Sequence, residues 1–247
     1  MRLTVLGSSG GTPSRINPAS GYLIEHGGTS LWLDAGTGTF MELARHIDPG
    51  QLDAVVLSHR HVDHCADIFG LYGYLAFGPS GTVPVPVLGP DGLGEHLAEF
   101  ARAGDEHVFR SVFDLGTADA PTQIGALNLR FATTTHPVPT VATRIEAGGV
   151  ALVYSGDSGP GGGLLGLAAG CDLLLCEATL LGERTDASYP YHLTASEVGE
   201  MAATAGVGRL IVTHVPPTGD EGRAVAEARA AFDGSVEWAA PGSTFDV

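Results

Sequence analysis

Asp53-Ala54-Val55-Val56-Leu57-Ser58-His59-Arg60-His61-Val62-Asp63-His64 is an apolar run that stops in an HxHxDH cluster. Ala54 to Leu57 reads as a β-strand. Two histidines at i and i+2 on a helix would point to different sides, so His59 and His61 can share a cation only from a strand end or loop. Imidazole and carboxylate are the usual non-thiol ligands of zinc and similar divalent ions. The same ending recurs along the chain. Strand-type runs finish in Asp34 (31–33), His136 (129–135), Asp157 (151–156), Glu177 (173–176) and His214 (209–213). Ligands of open α/β sheets collect beyond the carboxyl ends of strands. Delivery of His, Asp or Glu by so many strand ends marks a site.

Working outward, β-type runs fall at 2–6, 20–25, 30–34, 53–58, 83–88, 127–135, 141–146, 149–155, 172–176 and 209–213. Helices are expected at 39–47, 64–77, 91–103, 163–170, 194–205 and 220–232. Thr194-Ala195-Ser196-Glu197 is a capping box that opens the fifth helix, and Gly206 stops it. Phe69, Tyr72, Tyr74 and Phe77 read as the buried face of the second. Strands mixed with helices, with apolar strands covered on both faces, mean an α/β layer fold. No linker or low-complexity tract divides the 247 residues, so one domain over 1–247 is expected.

Composition narrows the partners. Basic residues number 12, all of them arginine, against 28 acidic ones, for a net charge of −16. A sequence-independent grip on nucleic acid needs clustered cations, so neither a large nucleic-acid surface nor an anionic membrane surface is expected. The three cysteines, Cys65, Cys171 and Cys176, are too few and too odd in number for a disulfide scaffold. The N-terminus lacks a signal-type apolar run, and a cytoplasmic protein is expected.

One catalytic zinc needs about three protein ligands plus water. His59, His61, Asp63, His64, His136, Asp157 and His214 supply twice that number. Two ions bridged by one carboxylate and a hydroxide would use them all and would locally offset the negative charge of the chain.

HxHxDH followed by His136, Asp157 and His214 resembles the metallo-β-lactamase superfamily, and the resemblance spans essentially the whole chain. It implies an α/β fold, a four-layer αββα sandwich of two similar halves. Cys176-Glu177-Ala178-Thr179, His192-Leu193-Thr194-Ala195-Ser196-Glu197 and the opening Leu6-Gly7-Ser8-Ser9-Gly10-Gly11-Thr12-Pro13 are similar to loops of its RNase Z-like phosphodiesterase branch. Cys176 stands where that branch usually has histidine. The resemblance implies His59, His61 and His136 on one metal, Asp63, His64 and His214 on the other, and Asp157 bridging. It further implies that Asp34 orients the ligand loop, that His192 protonates the leaving oxygen, and that Glu177 holds the His192 tautomer. Asp63 is a candidate base as well as a ligand.

Residues 137–156 leave no room for the long tRNA-gripping arm of bacterial members, and a chain without lysine lacks their lysine loop. A compact, acidic, arm-less member resembles the actinobacterial cyclic-nucleotide phosphodiesterases of this branch. The expected function is hydrolysis of a small phosphodiester, foremost cAMP, by a hydroxide held between two divalent ions. Zn²⁺ leads Mn²⁺ and Fe²⁺ as the metal, and a homodimer is the expected assembly by resemblance. The alternatives are a tRNA 3′-processing endoribonuclease and a glyoxalase II-like thioester hydrolase, which shares HxHxDH without the Glu177 and His192 loops.

Overall fold

A computed structural model describes residues 1–78, 83–101, 106–185 and 189–247. The first sheet contains β1 (Arg2–Gly7), β2 (Gly21–His26), β3 (Thr29–Leu33), β4 (Ala54–Val56), β5 (Val85–Gly89) and β6 (Phe113–Thr117). The second contains β7 (Thr122–Ile124), β8 (Leu127–Thr133), β9 (Val141–Ala147), β10 (Val150–Tyr154), β11 (Leu173–Glu177), β12 (Arg209–Thr213) and β13 (Ser235–Trp238). The last strand, β14 (Thr244–Asp246), returns to the edge of the first sheet beside β1. Helices α1 (Thr39–His46), α2 (Val62–Cys65), α3 (Ile68–Phe77), α4 (Leu93–Phe100) and α5 (Glu106–Val112) lie between strands of the first sheet in chain order. Helices α6 (Leu164–Ala168), α7 (Ala195–Ala205) and α8 (Glu221–Ala231) do so in the second.

Each sheet is part antiparallel, part parallel. β1-β2-β3 and β7-β8-β9-β10 are antiparallel, whereas β3-β4-β5-β6 and β10-β11-β12-β13 are parallel. The period-two alternation of the strands sorts their side chains into layers. Leu152, Tyr154, Leu173 and Leu175 enter the core between the sheets with Leu3, Val5, Tyr22 and Ile24. Val153, Leu174 and Cys176 face the opposite way, onto α6, α7 and α8. Leu6, Leu23, Trp32 and Val55 face α1, α3, α4 and α5. The architecture is therefore the αββα sandwich of two similar halves.

The capping box at Thr194 forms in full, and Gly206 closes α7 in the left-handed region at φ 63°. Three differences from the sequence expectation have local causes. The helix expected over 64–77 is two, α2 and α3, because the His64 carbonyl and the Asp67 amide between them bond the Ala35 amide and carbonyl (2.7 Å each) instead of continuing the helical ladder. The buried face of α3 is Ile68, Leu71 and Leu75 rather than the aromatic set: Phe69, Tyr72 and Tyr74 are half-buried, and Phe77, at the last turn, is exposed. β6, β7, β13 and β14 go unanticipated because they are short strands, three to five residues long, at or next to a sheet edge. The helix expected over 91–103 appears as α4, and its last two expected residues lie outside the described residues.

The rims of the two sheets meet where the parallel strands end. The Val141 amide donates to the Ser58 carbonyl (3.0 Å), and Tyr22 Oη lies 2.6 Å from Thr213 Oγ1. That seam collects the strand-end residues.

Candidate metal centre

At the end of β4 the backbone runs extended through His61, at φ −66° and ψ 145°, and turns helical at Val62. This switch aims His59, His61, Asp63 and His64 inward from one short stretch. In the first donor set His59 Nε2 lies 3.0 Å and His136 Nε2 3.2 Å from His61 Nδ1. Asp157 Oδ2 is 3.7 Å from both His59 Nε2 and His136 Nε2. In the second set His64 Nε2 and His214 Nε2 are 3.1 Å apart. Asp63 Oδ2 is 3.5 and 3.3 Å from them, and Asp157 Oδ1 3.2 and 3.4 Å. All seven residues expected from the sequence thus come together, with Asp157 presenting one oxygen to each set.

The donors fit divalent cations. Zn–N distances of about 2.0–2.1 Å imply tetrahedral edges of roughly 3.3 Å, and both sets are spaced on that scale. Asp157 Oδ1 is buried with no hydrogen-bond partner, as expected of an oxygen reserved for a cation. Burial and the His64 charge hold His59 well below the usual histidine range, and burial also lowers His61 and His136. Those three neutral imidazoles keep a lone pair for a metal, whereas the Asp157 and Asp34 charges outweigh burial and hold His64 well above the histidine range, with a proton that a cation would displace. Burial opposes charge on Asp157 and Asp63 too. Neighbouring His214 and His64 outweigh it and hold both carboxylates well below their ordinary range.

Supporting groups set which nitrogen faces inward. Asp34, fully buried, accepts from the Ser58 amide (2.6 Å), Ser58 Oγ (2.7 Å), Tyr154 Oη (2.6 Å) and His64 Nδ1 (2.7 Å). Ser58 Oγ, 3.0 Å from His59 Nδ1, extends the same carboxylate to a second imidazole. His136 Nδ1 donates to the Tyr191 carbonyl (3.2 Å), and the Gly11 amide holds Asp63 Oδ2 (2.8 Å). Such partners fix the ring and raise ligand basicity. Asp34 and His214 are the non-glycine residues with positive φ, 54° and 58°, among the described residues, and both sit just past strands. Gly10 is required nearby: a Cβ there would stand 2.5 Å from the His214 carbonyl oxygen.

Beside the second set, His192 Nδ1 donates to Glu177 Oε1 (2.9 Å), and its ring stacks on His214 with centroids 5.7 Å apart. The His192 side chain is 15% exposed, more open than His59, His64, His136 and His214 at 0–4%. Burial opposes its charge, but the Glu177 hydrogen bond and the Glu177 and Asp157 charges raise its pKa above the ordinary value. Cys176 points away into the helical layer and does not line the site. All three cysteines are free and buried, with burial pushing the Cys65 thiol up to about 12.

Sequence reasoning missed Ser58, Tyr154 and Thr179 as site residues. The Ser58 and Tyr154 hydroxyls bond Asp34, 24 and 120 residues away, and the Thr179 hydroxyl reaches the His214 imidazole 35 residues away, contacts that no local pattern announces. The glycine-rich turn after Asp157 is a turn, as its composition suggests. The Gly159 and Gly163 amides are occupied by the Thr135 and Thr133 carbonyls (2.7 and 2.8 Å), so they are not free to cradle an anion. Between His136 and Asp157 the chain forms only the β9–β10 hairpin, closed by Gly148 and Gly149, and no arm projects. Among the described residues no helix is long and apolar enough to cross a membrane.

Comparison with known proteins agrees with this geometry. The family model described as "Beta-lactamase superfamily domain" matches residues 29–215. An uncharacterised Mycobacterium leprae protein, ML1173, is 38% identical, covering all of this chain and 89% of its own length. The probable metallo-hydrolase YhfI of Bacillus subtilis is 32% identical over the whole of both chains. Its crystal structure superposes with a TM-score of 0.88 at 31% identity over 99% of each chain. Ribonuclease Z of Kineococcus radiotolerans is 29% identical over 93% of this chain and 88% of its own. A full-length match of this kind, together with the fold, makes the chain a metallo-hydrolase of the β-lactamase superfamily, in its RNase Z-like branch.

Proposed function

We propose that this protein is a metal-dependent phosphodiesterase that hydrolyses a small phosphodiester, foremost a 3′,5′-cyclic nucleotide such as cAMP. Two divalent cations, foremost Zn²⁺ with Mn²⁺ or Fe²⁺ as alternatives, would be held by His59, His61, His136 and Asp157 and by Asp63, His64, His214 and Asp157. The observation that carries this reading is the adjacency of the second donor set to His192: Asp157, His192 and His214 also offer donor atoms within 4.8 Å of one another.

Bound there, the cations would supply Lewis acidity toward phosphoryl oxygens and a water nucleophile of lowered pKa. The remaining work falls to the chain. Glu177 keeps the proton of His192 on Nδ1, and the protonated imidazole delivers its second proton to the departing ribose oxygen. Asp34, Ser58 and the Tyr191 carbonyl keep the donor imidazoles in register. Asp63, held by the Gly11 amide, is the candidate base.

Substrate size is argued from what surrounds the site. The β9–β10 hairpin is part of the sheet, the chain has no lysine, and its net charge is −16. Each opposes a long RNA, whose affinity depends on many phosphate contacts. The likeness to ribonuclease Z supports a second reading, tRNA 3′-end cleavage. The expected setting is a cytoplasmic homodimer, to be checked by fractionation and sedimentation.

Metal analysis of the purified protein with a panel of cyclic nucleotides, bis(p-nitrophenyl) phosphate and pre-tRNA tests the proposal. Two cations per chain and turnover of a cyclic nucleotide above pre-tRNA are expected. Preferential pre-tRNA cleavage would transfer the assignment to the second reading. A cation-loaded protein inert to every phosphodiester would end both.

A further inference from the structure

Glu177 uses all of its acceptor capacity. Oε1 takes the Ser158 amide (2.8 Å) and His192 Nδ1 (2.9 Å); Oε2 takes the Thr179 amide (3.1 Å) and Thr179 Oγ1 (2.6 Å). A threonine hydroxyl has one proton and two lone pairs. Its proton goes to Glu177 Oε2, the nearer and charged acceptor, rather than to the His214 carbonyl at 3.2 Å. Thr179 Oγ1 is then left to accept, and His214 Nδ1 lies 2.9 Å away. His214 must therefore carry its proton on Nδ1. Nε2, which faces Asp63, Asp157 and His64, is thereby the nitrogen that can give up its proton and offer a lone pair when a cation binds.

We propose that Thr179 is a positioning residue: its hydroxyl passes the Glu177 carboxylate on to His214, fixing that ring's tautomer and building the second cation position and the His192 pair on one acid. The inference rests on the two-cation reading above and deepens it. It assigns Thr179 no contact with substrate.

The test compares Thr179→Val, which removes the hydroxyl at nearly constant shape, with Thr179→Ser, which keeps it. Cation binding is titrated in chelator competition without substrate, and the His214 ring nitrogens are read by ¹⁵N NMR in cation-free protein. Thr179→Val is expected to weaken the second cation about 10–100-fold, the usual effect of removing a ligand's orienting partner. The first cation should bind as before, and the hydrogen-bonded, exchange-protected Nδ1–H signal of His214 should be lost. Thr179→Ser should restore both readouts. Where circular dichroism finds Thr179→Val unfolded, Thr179→Ala reads the same quantities. Parental affinity for both cations with an unchanged His214 signature in the hydroxyl-free variant would overturn the proposal. A parent chain that binds fewer than two cations would instead overturn the reading beneath it, and the proposal with it.

Discussion

Asp34 and Glu177 close strands of opposite sheets, and both are fully buried. Each reaches one imidazole directly and another across a hydroxyl. Asp34 bonds His64 and, through Ser58, His59. Glu177 bonds His192 and, through Thr179, His214. The difference lies in what hangs on each acid. Both imidazoles behind Asp34 are donors, one in each set. Behind Glu177 one is a donor and the other is the more open His192. On the proposed function, the first half would use the device to hold cations, whereas the second would tie holding to proton delivery.

Substitutions can break this pairing, and the largest effect belongs to neither acid. Asp157→Ala removes the carboxylate shared by the two sets, so cation content should fall below two per chain and hydrolysis should vanish, read by elemental analysis and turnover. His192→Ala should keep both cations yet slow cyclic-nucleotide hydrolysis about 10²–10⁴-fold, the usual contribution of a general acid. Bis(p-nitrophenyl) phosphate, whose leaving group needs no proton, should be nearly unaffected. An equal loss on both substrates would remove His192 from the acid role.

Asp34→Asn should weaken both cations, by about 10–100-fold, because its two imidazoles belong to different sets. Chelator competition measures this, and loss at one position only would break the comparison. The pH profile sharpens it. His192 is held above the ordinary histidine value, so the acid form works below that raised pKa and activity fades as pH climbs through it. Glu177→Gln removes the charge that sustains the imidazolium, and the alkaline limb should move to lower pH. Tyr154→Phe is the mildest change: three donors to Asp34 remain, and denaturant unfolding should show a loss of about 1 kcal/mol.

The donors were legible because each is announced locally, by a rare residue type at the end of an apolar strand. His59 to His64 declare themselves within one short stretch, and the capping box at Thr194 does so through its own spacing. The hydroxyls were not legible. Tyr154 bonds an acid 120 residues away and Thr179 an imidazole 35 residues away, and Ser, Thr and Tyr are too common for their presence to signal either contact. The edge strands β7 and β14 escaped for a related reason: three residues carry too little pattern to outweigh polar composition.

Residue chemistry and period alone determined that this chain builds layered sheets and sends a cation-binding set of side chains to their carboxyl ends, since alternation and strand termination are properties of neighbouring residues. Tertiary packing decided the rest: that Asp157 faces both sets at once, which ring nitrogen each histidine turns inward, and that one buried acid serves both His192 and His214. Those outcomes depend on the meeting of two sheets, and a hydrogen bond between groups far apart in sequence exists only once the sheets have met.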